Sequence, residues 1–296
     1  MPALVTTLTA RLETASGLFD QGRLGAALTA FEDLVARAQE RADRSTEVMA
    51  RAMAARCLLR RRDNEGAAAH LSAISLHFDA LPVEVEGCFR GSQARLAVAE
   101  GAGDLRAYLT WADERSHAPS VIDACALLAR HTDGEERATW LERAVGEAET
   151  SGRIHQAGVL ALELGGVLDS LGRGEEAVAA YRRAAAHQAS HGDLRGTVSA
   201  HWAAGAVLVR LEQFPQALEV LDQAVAAARG NDAVRDLLAL ALAELARVHE
   251  AAGDVVEARR LVLEAVRLAR EEDLPGLWPE RWRSLVRYGR ALELDV

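Results

Sequence analysis

A small residue, a large apolar residue four positions later and a third core-type position three further on recur along this 296-residue chain. The small residue is Ala27, Ala67, Ala107, Ala177, Ala217 and Ala258, and the large one is Phe31, Leu71, Trp111, Tyr181, Leu221 and Val262. The third position holds Leu34, Ile74, Glu114, Ala184, Ala224 and Ala265. Successive alanines are 40, 40, 70, 40 and 41 residues apart, and the step of 70 conceals one more unit, RATWLERAV, with Arg137, Leu141 and Ala144 in the three positions. Offsets of four and three place three side chains on one helical face. Self-similarity at this period marks a chain of stacked supersecondary units, none of which covers its own apolar face alone.

Each unit reads as a helical hairpin. The segments LFDQGRLGAALTAFEDL, LLRRRDNEGAAAHLSAI and VAEGAGDLRAYLTWADE all pass from an apolar helix end, through a polar or glycine-containing turn, into a second helix. Leu164-Gly165 with Leu168 precedes Ala177 by the interval at which Ala204-Gly205 with Leu208 precedes Ala217. Gly22, Gly172 and Gly253 share the turn position, where a glycine supplies the positive φ that ends a helix. Half of the residues are hydrophobic but only 4% are aromatic, which suits helices packed through small and aliphatic side chains.

These residues resemble the tetratricopeptide repeat (TPR) family, in a long-period bacterial form, from about Leu8 to Arg270. The match is clearest in AGVLALELGGVLDSLGRGEEAVAAYRRAAAH. The resemblance implies an all-α fold, a right-handed α-solenoid of about seven TPR-like hairpins plus a C-terminal capping helix, as a single superhelical domain over residues 1–296. The expected repeats span 8–40, 48–80, 88–116, 118–149, 157–190, 197–229 and 238–271. PERWRSLVRYGRAL, about 279–292, is the expected cap, with a proline near its first turn and Trp278 and Trp282 packing it onto the seventh repeat. The family period is about 34, so units near 40 imply both helices lengthened by part of a turn. Glu114 and Arg137, where small residues belong, predict irregular packing around repeats three and four.

The resemblance also implies that first helices line a concave groove. Its groove-facing offsets fall on Met49, Met53 and Arg56, on Leu162, Glu163 and Asp169, on Trp202 and Val209, and on Ala243, Glu244, Arg247 and Glu250. Met53, Arg56, Glu163, Trp202, Glu244 and Arg247 are the expected partner-binding residues, with Trp202 as anchor, because a groove-facing aromatic suits a hot spot. The competing reading of Trp202 is packing within the superhelix. With no lysine, and neither Asn64 nor Asn231 on a groove face, the chain lacks the residues that family members use to hold acidic chaperone tails or extended peptides.

Other chemistry is argued down. A net charge of −10 disfavours a general phosphate-binding or anionic-membrane surface. All 34 basic residues are arginine, as a GC-rich genome favours, so a phosphate loop ending in lysine is impossible. Cys57, Cys88 and Cys125 are odd in number and far apart, which fits buried thiols in a reducing compartment. His187 and His191, one helical turn apart, are a thin metal lead read as a solvated helix end, and Arg60-Arg61-Arg62 is read the same way. No basic leader precedes an apolar run, and no membrane-length apolar stretch is present. A cytoplasmic protein with no catalytic residues, metal or cofactor is expected.

The expected function is therefore a non-catalytic interaction module, an adaptor or scaffold, whose partner is another protein (a folded domain or amphipathic helix) rather than nucleic acid or membrane. The alternative is a signal-sensing regulator domain that binds a peptide or small ligand, resembling the helical effector regions of quorum-peptide receptors. Self-association is a third course.

Overall fold

The computed structural model describes residues 7–74, 81–101 and 103–296. All the regular structure among them is helical. The helices follow in consecutive pairs: α1 (Leu8–Asp20) with α2 (Leu24–Glu40), α3 (Arg44–Arg60) with α4 (Asn64–Ser72), α5 (Val83–Ala99) with α6 (Leu105–Glu114), and α7 (Ala118–Arg130) with α8 (Gly134–Thr150). Then come α9 (Ile154–Ser170) with α10 (Gly174–His191), α11 (Leu194–Arg210) with α12 (Phe214–Ala228), and α13 (Arg235–Ala251) with α14 (Val255–Glu271). A one-turn α15 (Leu274–Leu277) and the terminal α16 (Pro279–Ala291) close the chain.

The long period has a simple origin. The commonest helix length is 17 residues, and most connectors are three residues. Two such helices with their connectors fill the 40-residue step. The 30-residue step before Arg137 coincides with the short α6 and α7, of 10 and 13 residues. Connectors share one closure, in which the residue after the left-handed position donates its N–H back to the last turn. Arg23 donates to Leu18 O, Asp63 to Leu58 O, Arg173 to Leu168 O and Asp254 to His249 O, each at 2.8–2.9 Å. Gly22, Gly172 and Gly253 take φ of 73°, 76° and 82° there, as the sequence predicts. The following helix is often fastened by an aspartate cap, as at Asp43, Asp63, Asp104, Asp193 and Asp254.

A second spacing becomes visible only in the packing. Sixteen residues before each large apolar residue stands a small one on the first helix: Ala15, Ala55, Cys125, Gly165, Gly205 and Ala246. All are buried, as are their counterparts Phe31, Leu71, Leu141, Tyr181, Leu221 and Val262. Where the small residue is glycine the reason is direct. A methyl group on Gly165 would stand 2.5 Å from the Tyr181 ring, and one on Gly205 would stand 2.5 Å from Leu221. The third hairpin breaks the series, because Arg95 holds the position sixteen before Trp111. Repeat three therefore closes on charge where its neighbours close on aliphatic packing.

The chain divides into two compact units, Met1–Leu128 and Ala129–Val296. In the first, α3 packs against α1, α2, α4 and α5, over a core that includes Phe31, Leu34, Val48, Cys57 and Phe89. In the second, the first helices α9, α11 and α13 touch one another in succession, and α10 and α12 each fill the space between the first helices on either side. Ion pairs reach from one repeat to the next across this unit. Glu135 meets Arg173 at 2.6 Å, Glu149 meets Arg183 at 3.0 Å, and Arg210 and Arg195 pair with Asp169 and Asp236, while Arg235 pairs with Glu271 inside the seventh hairpin.

Candidate interaction surface

In the second unit, the strip of each first helix that its neighbours leave open carries Glu163 and Asp169 on α9, Trp202 and Val209 on α11, and Glu244 and Arg247 on α13. All six are half-buried. This strip is already engaged by the terminal helix. The Arg281 guanidinium of α16 lies 5.0 Å from the centre of the Trp202 ring. Arg247 stacks in turn on the Tyr288 ring at 4.6 Å, and its Nη2 donates to Ser284 Oγ at 3.5 Å. Farther along, Gly289 faces Val262 of α14, and Arg270 of α14 lies over the Trp282 ring at 5.7 Å. Trp282 thus packs on the seventh repeat as its position in the sequence suggests. Trp278 instead joins Trp202, Leu277, Pro279, Glu280 and Arg281 around an open cleft of about 460 Å3.

Charge around this strip is partly neutralised from within. Glu163 accepts from Arg137 Nη2 at 2.8 Å, so the arginine that interrupts the small-residue pattern of repeat four spends its charge on the next first helix. Asp169 pairs with Arg210. Glu244 keeps only 18% of its side-chain exposure, with Arg247 Nε 3.4 Å away. Burial pushes its carboxyl above the ordinary 4.5, against the pull of Arg247, Arg281 and Arg210. The Trp202 indole N–H is buried and finds no acceptor among the described residues. Trp202, Glu244 and Arg247 are therefore joined through α16, while Glu163 is tied to α8. Sequence reasoning placed α16 at the end of the array and missed that Arg281 and Tyr288 reach the inner strip. The signal was their seven-residue spacing, two turns on one face.

Met53 and Arg56 belong to the first unit. Met53 is half-buried against the core there. Arg56 is committed to a polar cluster that forms the closure of repeat three. Its Nε donates to Ser92 Oγ at 3.0 Å, its Nη2 donates to Cys88 O at 3.4 Å, and Nη2 lies 3.8 Å from Asp123 Oδ2. Arg95 grips both Asp123 oxygens, and the Tyr108 hydroxyl donates to Oδ2 at 3.3 Å. Gly91 makes the convergence sterically feasible: a methyl group there would meet Tyr108 Oη at 2.8 Å and both Arg56 Nη2 and Asp123 Oδ2 at 2.9 Å. Burial pushes the Asp123 carboxyl up, but the charge and hydrogen bonds of Arg95, with Arg56 and Tyr108, outweigh it and hold the group below 3.8.

The cysteines and histidines have ordinary surroundings. Burial pushes the Cys57 thiol up to about 11 and raises that of Cys88 too, which suppresses the reactive thiolate. His187 Nε2 lies 2.7 Å from Glu149, and the His191 ring lies against His155 with centroids 4.8 Å apart. Among the described residues no three His, Cys, Asp or Glu side chains are grouped to hold a metal ion. Arg60, the first of the three-arginine run, stacks on Phe19 at 4.4 Å. No described helix is long and apolar enough to cross a membrane.

A model of the anaphase-promoting complex subunit 5 family matches residues 8–63 and 201–274, less than half of the chain. No curated protein matches the sequence. Among solved structures, a signal-transduction ATPase with numerous domains from Pyrococcus horikoshii, which carries a tetratricopeptide repeat sensor, is similar at a TM-score of 0.66 and 13% identity. The match covers 95% of this chain and 44% of that one, so the chain spans less than half the length of this relative. A putative kinesin light chain from Podosopora anserina matches at a TM-score of 0.40 and 16% identity, over 90% of this chain and 96% of that one. The apo quorum sensor NprR from B. thuringiensis matches at 0.41 and 12%, over 97% of each chain. With paired helices, a repeating small-to-large register and this likeness in fold, the chain has a tetratricopeptide-like helical-repeat fold.

Proposed function

We propose that this protein is a non-catalytic interaction module, a bacterial cytoplasmic adaptor or scaffold, that binds a partner protein or helix on the first-helix strip of its second unit. The observation that carries the reading is Trp202. It is a half-buried aromatic beside an open cleft, within a patch that also holds a half-buried carboxylate and guanidinium. Large amphipathic side chains of this kind anchor protein interfaces, with charged neighbours fixing the orientation. Burial raises the Cys57 and Cys88 thiols, which disfavours thiolate chemistry at either position. Arg56 is left out of the proposed surface, because its donors are used within the first unit.

The test is affinity capture from lysate of the native cell. The wild type is compared with Trp202→Ala plus Glu244→Arg, with circular dichroism to verify the helical content of both. One protein retained by the wild type and lost by the variant is the expected result. The same protein held equally by both would remove the strip from consideration.

A second reading, a sensor domain for a peptide or small ligand, draws support from the cleft of about 460 Å3 beside Trp202. A ligand specific for the native state at about a hundred times its Kd stabilises by about 2.7 kcal/mol. A thermal-shift screen over peptides and metabolites would show that gain, and no response across the screen counts against the sensor.

A further inference from the structure

The inner strip of the second unit already displays how it receives helix side chains, because α16, packed on α14, extends Arg281, Ser284 and Tyr288 to Trp202 and Arg247. Arg281, Leu285 and Tyr288 follow one another at i, i+4 and i+7, which puts them on one face. Leu285 and Tyr288 are buried, and Arg281 reaches the Trp202 ring. This is the spacing by which an amphipathic helix docks in a groove. Two of the three anchors meet a complementary group on the strip. The cation of Arg281 lies on the Trp202 indole, and the ring of Tyr288 lies under the cation of Arg247, which in turn faces the half-buried carboxylate of Glu244.

The seat is nonetheless thinly held. Only Leu285, Tyr288 and Gly289 of α16 are buried, whereas α13, which meets it through Arg247, buries ten residues. The link to α14 contains a one-turn helix whose Leu277 is 64% exposed. The Trp202 indole N–H, next to Arg281, has no acceptor among the described residues, so a different helix can satisfy a donor that α16 leaves idle. Charge favours an occupant of the same sign as α16. That helix carries Arg281, Arg283, Arg287 and Arg290 against Glu280, in a chain whose net charge is −10.

We propose that α16 is a displaceable occupant of this strip. The partner that replaces it is a basic amphipathic helix with arginine, an aliphatic residue and an aromatic residue at i, i+4 and i+7. The inference rests on the strip being the partner-binding surface, and it adds the partner's chemistry and a step in which the protein's own helix must leave.

Two measurements on the full chain test it. Hydrogen exchange on the wild type should show α16 amides exchanging on the order of a hundredfold faster than those of α13, because α16 opens without the rest of the unit. Protection of α16 equal to that of α13 would make it a fixed cap and overturn the proposal. In the second measurement, a fluorescein-labelled peptide of residues 279–292 is titrated against the wild type and against Arg281→Glu plus Tyr288→Ala, which loosens α16 without altering the strip. The loosened chain should bind the peptide about tenfold more tightly than the wild type by anisotropy. The gain should vanish when the peptide itself carries Arg281→Glu, or when the chain also carries Trp202→Ala. No gain would overturn the proposed partner chemistry, and so would a loosened chain that dimerises without taking up peptide. A lysate partner lost with Trp202→Ala plus Glu244→Arg, found together with a fully protected α16, would leave the partner surface standing and sink the displacement alone.

Discussion

A methyl group added at Gly146 and one added at Gly205 meet opposite surroundings. Nothing lies within 4 Å of the first, while Leu221 side-chain carbons stand 2.5 Å from the second. Gly146→Ala should therefore gain the ordinary helix-propensity difference, about 0.8 kcal/mol, whereas Gly205→Ala should lose about 1–3 kcal/mol through overpacking. Urea denaturation of the two variants would show midpoints moving in opposite directions. Asp123 presents a different liability. Asp123→Asn leaves Arg95 and Arg56 facing each other without their shared anion, at a cost of about 3 kcal/mol, the lower end for a broken buried pair. Because the folded carboxyl is held below 3.8, its contribution is complete above that value and fades as pH falls through the lower folded value. The melting-temperature gap between wild type and variant should thus be widest near neutrality and close in acid. At this scale the sequence was readable in the small residue and the large one four later on each second helix, while the small partner sixteen residues earlier emerged only in the packing. It was opaque at Arg95, whose partner Asp123 lies on α7 and shares no periodicity with it.

Helices here are held by their apolar seams more than by the arginine pairs between repeats. Arg183 bonds Glu142 at 2.8 Å and Glu149 at 3.0 Å, yet a third of its side chain remains exposed. Arg183→Ala should cost about 1 kcal/mol or less, as partly exposed ion pairs do. Leu221→Ala, at a fully buried position, should cost about 2–5 kcal/mol. Chemical denaturation midpoints would order the two, and a larger loss for Arg183→Ala would show that the ion pairs dominate. Helix pairs and their turns were legible because the shared turn glycines, the recurring small and large positions and the 40-residue step all agree. The position of α16 was not, since amphipathicity shows that a helix has an apolar face without showing which surface covers it. Arg137 was legible as an exception, but its use, a bond to Glu163 on α9, belongs to the packing.

Across the whole molecule, stability in a repeat array is close to a sum of neighbour terms. A lesion in one unit should therefore stay local. Asp123→Asn should accelerate hydrogen exchange in α3, α5 and α6, and leave α9 to α14 at wild-type rates. Uniform acceleration along the chain would instead mean that the two units unfold as one. The same modularity explains how much of the architecture one sequence could reveal. Repetition presents the pattern seven times, so a single irregular copy does not hide it. The partner surface has no such redundancy, because Trp202 and Arg247 occur once and owe their neighbourhood to a helix that closes the chain.

The sixteen-residue step from Gly205 to Leu221, and from Gly165 to Tyr181, has a consequence for the order of events during synthesis. The decisive contact of each hairpin closes a loop so short that its entropic cost is small. It becomes available as soon as the second helix has left the ribosome, with no need to wait for distant sequence. Chains rich in such near-neighbour contacts fold fast, and here almost any hairpin can serve as the first to form.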